Sequence, residues 1–153
     1  LQLGDIAKVI RLDLDIPVFK VALGSFDTHH NQKITHAKLL QQLSLGLMTL
    51  REELIRSGHW ENVLVMTYSE FGRRAAQNGS GGTDHGTAAT HFVLGGRVKG
   101  GHVGPHPSLN QLQDNDMVYS TDFRQLYQTI LRDWWRSNHD IPGGNWESLN
   151  LLM

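Results

Sequence analysis

Between Thr35 and Gly58 the apolar residues Leu40, Leu43, Leu47, Leu50 and Leu54 recur at intervals of three and four, which predicts one long amphipathic helix. Thr35 is placed to cap its start, and Gly58 to end it in a left-handed conformation. This helix constrains the fold because β-rich runs flank it. Val18 to Leu23 follows Pro17 and stops at Gly24, and Asn62 to Tyr68 (NVLVMTY) is a continuous apolar run. Such a run is expected of a strand covered on both faces. Strand, helix and strand in this order predict a βαβ unit with parallel strands and a right-handed crossover. The fold class expected is therefore α/β, a mostly parallel sheet flanked by helices.

Two further helices are expected. Leu3, Ile6, Ala7, Val9 and Ile10 form a helical face in the first residues, and Asp122 to Arg136 places Phe123, Leu126, Tyr127, Ile130, Leu131 and Trp134 on another. Thr90 to Leu94 resumes a strand, stopped by Gly95 and Gly96. No helical period separates Tyr68 from Thr90, so this strand is expected to return antiparallel.

Composition narrows the chemistry. The 153 residues carry a formal net charge of −1 and include no cysteine and nine histidines. Without thiols, disulfides, thiolate zinc sites and cysteine nucleophiles are excluded, and any metal must be held by imidazole and oxygen. The near-neutral balance gives no electrostatic footprint for nucleic acid. No apolar run reaches the ~18–20 residues of a membrane-spanning helix.

In a parallel sheet, ligands gather at the carboxyl ends of the strands. The loop after the first strand carries Asp27, His29 and His30, and the second leads into Ser69, Glu70 and Arg73. Gly82-Thr83-Asp84-His85-Gly86 then enters the third strand at the same edge. Asp27-Thr28-His29-His30 reads either as a metal-ligating cluster or as an Asx-type turn with solvated histidines. The glycine-flanked Asp84-His85 pair is open to the same two readings. Their convergence at one edge favours a divalent metal, of zinc or manganese type, held by Asp27, His29, Glu70, Asp84 and His85. Arg73 is the candidate catalytic residue, its planar fork suited to a tetrahedral oxyanion; the bland reading of Glu70 and Arg73 is a surface ion pair. His36, in the first helical turn, is read either as supporting a metal-bound carboxylate or as exposed. Ser69 lies in no Gly-x-Ser-x-Gly elbow, and neither a phosphate-loop lysine nor a dinucleotide fingerprint is present.

These motifs carry a resemblance. Gly24 to His29 with Gln32 and His36, Ser69 to Arg73, Asn78, Gly82 to Gly86, Phe92 to Gly96 and Lys99-Gly100-Gly101 resemble, in order, a bacterial family of unknown function. That family is classed as sulfatase-like within the alkaline phosphatase superfamily, and the likeness runs from about Leu3 to Trp135. It implies that residues 1–153 are the C-terminal portion of a single large α/β domain. It also implies a metal-dependent hydrolase of small phosphate or sulfate esters, periplasmic or secreted, with Asp27, His29, Glu70 and His85 at ligand positions. The nucleophile would lie in the absent N-terminal half, leaving this portion inactive alone. The contrasting expectation is a non-catalytic member that binds metal or acts in assembly. Oligomeric state is left open.

Overall fold

The structure, a computed structural model, describes residues 2–153. Helix α1 spans Gln2–Ile10 and helix α2 Gln32–Arg56. A short 3-10 turn at Trp60–Asn62 leads into β1, Leu64–Met66. Strands β2 (Gly72–Arg73), β3 (His85–Gly86) and β4 (Val93–Gly95) follow, then the hairpin of β5 (Leu112–Gln113) and β6 (Asp116–Met117). Helix α3, Phe123–Thr129, continues into a π-helical turn at Ile130–Trp134.

The mostly parallel sheet expected from the sequence does not form. Among the described residues the strands make three separate two-stranded pairs, β1 with β4, β2 with β3 and β5 with β6, all antiparallel. The reason lies in where α2 spends its apolar stripe. Leu50 and Leu54 are buried with Ala7 of α1, and Leu3, Ile6, Ile10, Trp60, Val63 and Val65 close around them. Gly46 admits the approach of α1, since a Cβ there would stand 3.0 Å from Leu3 Cδ1. The helix is thus consumed by a helix partner and the entry to β1, and it does not return the chain beside a parallel strand. The run from Val18 to Leu23 forms no strand, with Val18 exposed and Lys20 Nζ lying 5.7 Å from the centre of the Tyr68 ring. The antiparallel return of the strand after Thr90 is found, with Val65 opposite Leu94. β1 is only half-buried, so the coverage on both faces expected for Asn62 to Tyr68 is also absent.

Helix α2 begins earlier than its apolar spacing indicates. Its N-cap is Asn31, not Thr35, in the left-handed region at φ 45° and without a side-chain cap. Two amides at this end are satisfied by the glycine-rich loop: Asn31 N–H donates to the Ser80 carbonyl and Gln32 N–H to that of Gly81, each at 3.1 Å. The opposite end closes as expected, with Gly58 at φ +76° and the His59 amide donating to the Leu54 carbonyl at 2.8 Å.

Asp122 caps α3, accepting from the Arg124 amide at 2.9 Å, while the Gln125 side chain accepts from the Asp122 amide at 3.2 Å. Beyond it, Gln128 and Thr129 are fully buried because they hold the C-terminal segment: Gln128 accepts from Ile141 N–H at 2.8 Å and Thr129 Oγ1 from Leu149 N–H at 2.7 Å. The cap yields a stability prediction. The side-chain hydrogen bonds from Arg124 hold the Asp122 carboxyl below its ordinary range. A depressed folded-state pKa contributes stability that is present above the unfolded value and lost as pH falls through the folded one. Asp122→Ala is expected to cost about 1 kcal/mol at pH 7 in urea denaturation, with the difference from wild type shrinking below about pH 4.

Candidate metal centre

Two loops build the site. The first runs into α2 and carries Asp27 and His29; the second is the segment between β2 and β3, which delivers His85 at the start of β3. Asn78 joins them. Its Nδ2 donates to the His29 carbonyl at 2.9 Å and to Asp84 Oδ1 at 3.1 Å, while its Oδ1 accepts from the amides of Ser80 and Gly82 at 2.9 and 3.0 Å. Thr83 Oγ1 donates to Gln32 Oε1 at 2.9 Å. Gly82 is required by contact: a Cβ there would lie 2.4 Å from the His29 carbonyl oxygen.

The result is a convergence of three ligand atoms on one point. Asp27 Oδ1 lies 2.9 Å from His29 Nε2 and 2.7 Å from His85 Nε2, and the two imidazole nitrogens are 3.1 Å apart. Asp84 Oδ1 sits behind the first imidazole, 3.5 Å from His29 Nδ1. Holding a cation, His29 would carry its proton on Nδ1 toward Asp84 and present its Nε2 lone pair to the ion; without one, a proton on Nε2 is shared with Asp27. Two lone pairs cannot face each other at 2.9 Å without a proton or a cation between them. Hydrogen bonds from His85 and then His29 hold the Asp27 carboxyl below its usual range. Asn78 and then His29 do the same for Asp84.

Of the residues expected as ligands, the structure brings Asp27, His29 and His85 together. Asp84 stands one layer out. Glu70 is exposed and makes no hydrogen bond or ion pair among the described residues. Arg73, the candidate oxyanion holder, clasps the two loops, donating to the Thr83 carbonyl at 2.5 Å and the Phe26 carbonyl at 2.6 Å. His36 packs edge-on against Phe26, ring centres 5.8 Å apart. Two residues escaped the sequence reading as site components. Asn78 had a signal, since an asparagine ahead of Gly-Ser-Gly-Gly is placed to bond the backbone two residues on. Phe71 had none; it stacks on His85 with ring centres 3.8 Å apart and planes 7° from parallel.

The site brings one carboxylate and two imidazoles together on a framework of three helices and short antiparallel strand pairs among the described residues. A family model described as a protein of unknown function (DUF1501) matches residues 7–137, and the chain belongs to that family. No curated protein and no solved structure matches it. The expected kinship with sulfatases and the alkaline phosphatase superfamily is thereby corrected: the matching family carries no such description, and the antiparallel pairs described above are not that superfamily's sandwich. The unknown function that the resemblance carried with it stands. No helix among the described residues is long and apolar enough to cross a membrane.

Proposed function

We propose that the protein holds a divalent transition metal through Asp27, His29 and His85, and that this centre serves hydrolysis of a small phospho- or sulfoester. The observation that carries the metal is the mutual spacing of the three ligand atoms, 2.7, 2.9 and 3.1 Å. Tetrahedral coordination at ~2.0–2.1 Å sets ligand atoms about 3.3 Å apart, so a small opening of this triangle accommodates zinc. Two imidazoles with one carboxylate suit zinc better than calcium or magnesium, which favour all-oxygen sites.

Three protein ligands are the number found in catalytic zinc centres, where a fourth position is left for water or substrate. A bound metal there would supply Lewis acidity and charge to an anionic ester. Asp27 and the two histidines hold it, Asp84 orients His29, and the exposed side of Asp27 leaves the centre open to solvent. A second reading, metal binding without catalysis, is favoured by one feature: the cluster lies on an open surface. Cavities of about 190 and 200 Å³ lie elsewhere, lined by Arg11, Glu53, Arg56 and Ser57 and by residues around Asp133 and Leu152.

The experiment is zinc and manganese titration of the metal-free protein by calorimetry, followed by assay of p-nitrophenyl phosphate and sulfate. About one zinc per chain is expected, with ester turnover that chelation abolishes. One zinc with no turnover would support the binding role, and no zinc at all would sink both readings.

A further inference from the structure

Phe71 lies outside the set of residues that ligate, yet the register of the β2–β3 pair aims it at the site. Arg73 stands opposite His85 and Gly72 opposite Gly86. Side chains alternate along a strand, so Phe71, two residues before Arg73, projects from the same face as Arg73 and lies diagonal to His85. The two rings meet flat, 3.8 Å between centres and 7° between planes. The phenyl is itself held. Its residue is half-buried, Ser69 Oγ donates to the Phe71 carbonyl at 2.9 Å, and the Arg73 guanidinium carbon lies 5.1 Å from the ring centre.

His85 needs such a support. Its side chain is partly exposed, and among the described residues the polar contacts of its ring are all at one atom, Nε2, toward Asp27 and His29. Contacts at a single atom leave the ring free to pivot about that point, which would misdirect the lone pair. A flat surface against one face removes that freedom. The contact also discriminates between loaded and empty sites. An imidazole that donates its lone pair to a divalent cation acquires positive charge, and a positive group over an aromatic face is attracted by the ring quadrupole. The neutral, unligated ring gains only van der Waals contact.

We propose that Phe71 is a positioning residue of the metal centre: by stacking on His85, and held in turn by Arg73, it fixes the imidazole plane and selectively stabilises the metal-ligated ring. This rests on the assignment of Asp27, His29 and His85 as ligands.

The test compares wild type with Phe71→Leu, which keeps apolar bulk without the aromatic face, and Phe71→Tyr, which keeps the face. Zinc affinity is measured by competition with a chromophoric chelator, ligand geometry by the visible absorption of the cobalt(II)-loaded protein, and metal-free stability by thermal denaturation. Phe71→Leu is expected to weaken zinc binding about tenfold and alter the cobalt spectrum, with its metal-free melting temperature unchanged. Phe71→Tyr is expected to restore both affinity and spectrum. Wild-type affinity in Phe71→Leu would overturn the positioning role while leaving the site intact. A parallel fall in metal-free stability that tyrosine does not rescue would overturn it too, by reducing Phe71 to packing. Failure of wild type to bind zinc or cobalt would remove the site itself, and the role of Phe71 with it.

Discussion

His85→Ala is expected to weaken zinc binding by more than about a hundredfold, because even outer contacts of a metal site cost 10- to 100-fold when removed and His85 supplies a ligand atom to the proposed centre. Its Nε2 lies 2.7 Å from Asp27 Oδ1 and 3.1 Å from His29 Nε2, so the variant leaves two donors where the site needs three. The fold should be indifferent. The His85 side chain is 43% exposed, and exposed substitutions away from caps and cores usually fall within about 0.5 kcal/mol. The signature is therefore a split: lost metal with unchanged metal-free unfolding. His106→Ala is the control, since that residue stacks on His102 outside the cluster, and it should retain full affinity. Calorimetric titration of both variants beside wild type decides it. Full zinc binding by His85→Ala would place the metal elsewhere on the chain.

The two loops that form this site were visible in the sequence as polar and glycine-rich breaks, and the reason they meet was not. Periodicity identifies an element by the face it must bury, and it did so for α1, α2 and the stretch of α3. It does not name the partner. The leucine stripe of α2 was legible, though Leu39 rather than Leu40 faces inward, but its use against Ala7 of α1 could not be read from spacing. The parallel crossover inferred from strand–helix–strand order failed at that step. The site shows the same division. Asp27, His29 and His85 were nameable because two Asp/His motifs, each also readable as a solvated turn, were expected to meet at one edge of the strands. Glu70, equally nameable by residue type, lies outside the cluster, since what brings ligands together is the β2–β3 register and the Asn78 bridge. The bridge from Asn78 to the His29 carbonyl spans 49 residues of chain, which no local pattern records. The π-helical turn after α3 is another such case, as nothing in Ile130 to Trp134 distinguishes it from continued α-helix until the Trp135 amide bonds the Ile130 carbonyl at 3.0 Å.

Arg73 separates a structural from a catalytic reading most sharply. As an oxyanion holder its loss would lower turnover and little else. The geometry predicts a different outcome, because its guanidinium reaches across the gap between the loops to the carbonyls of Thr83 and Phe26, with Thr28 Oγ1 at 3.4 Å. Phe26 adjoins Asp27, and Thr83 lies two residues before His85. Each loop thus ends its free travel on the same planar cation, beside the residues that converge. Hydrogen bonds to a charged group contribute ~1.5–3 kcal/mol apiece, and partial exposure of Arg73 places the combined loss from Arg73→Ala at about 2–3 kcal/mol. The same variant also releases the Phe71 ring and the register between Asp27 and His85, so zinc affinity should fall by at least about tenfold. Arg73→Lys is expected to recover only part of either quantity: a lysine keeps the charge but cannot span two carbonyls with one rigid fork. Urea denaturation of the metal-free variants and zinc competition measure the two losses independently. If Arg73→Ala keeps wild-type stability and metal affinity while turnover alone collapses, the clasp is incidental and the side chain belongs to the chemistry.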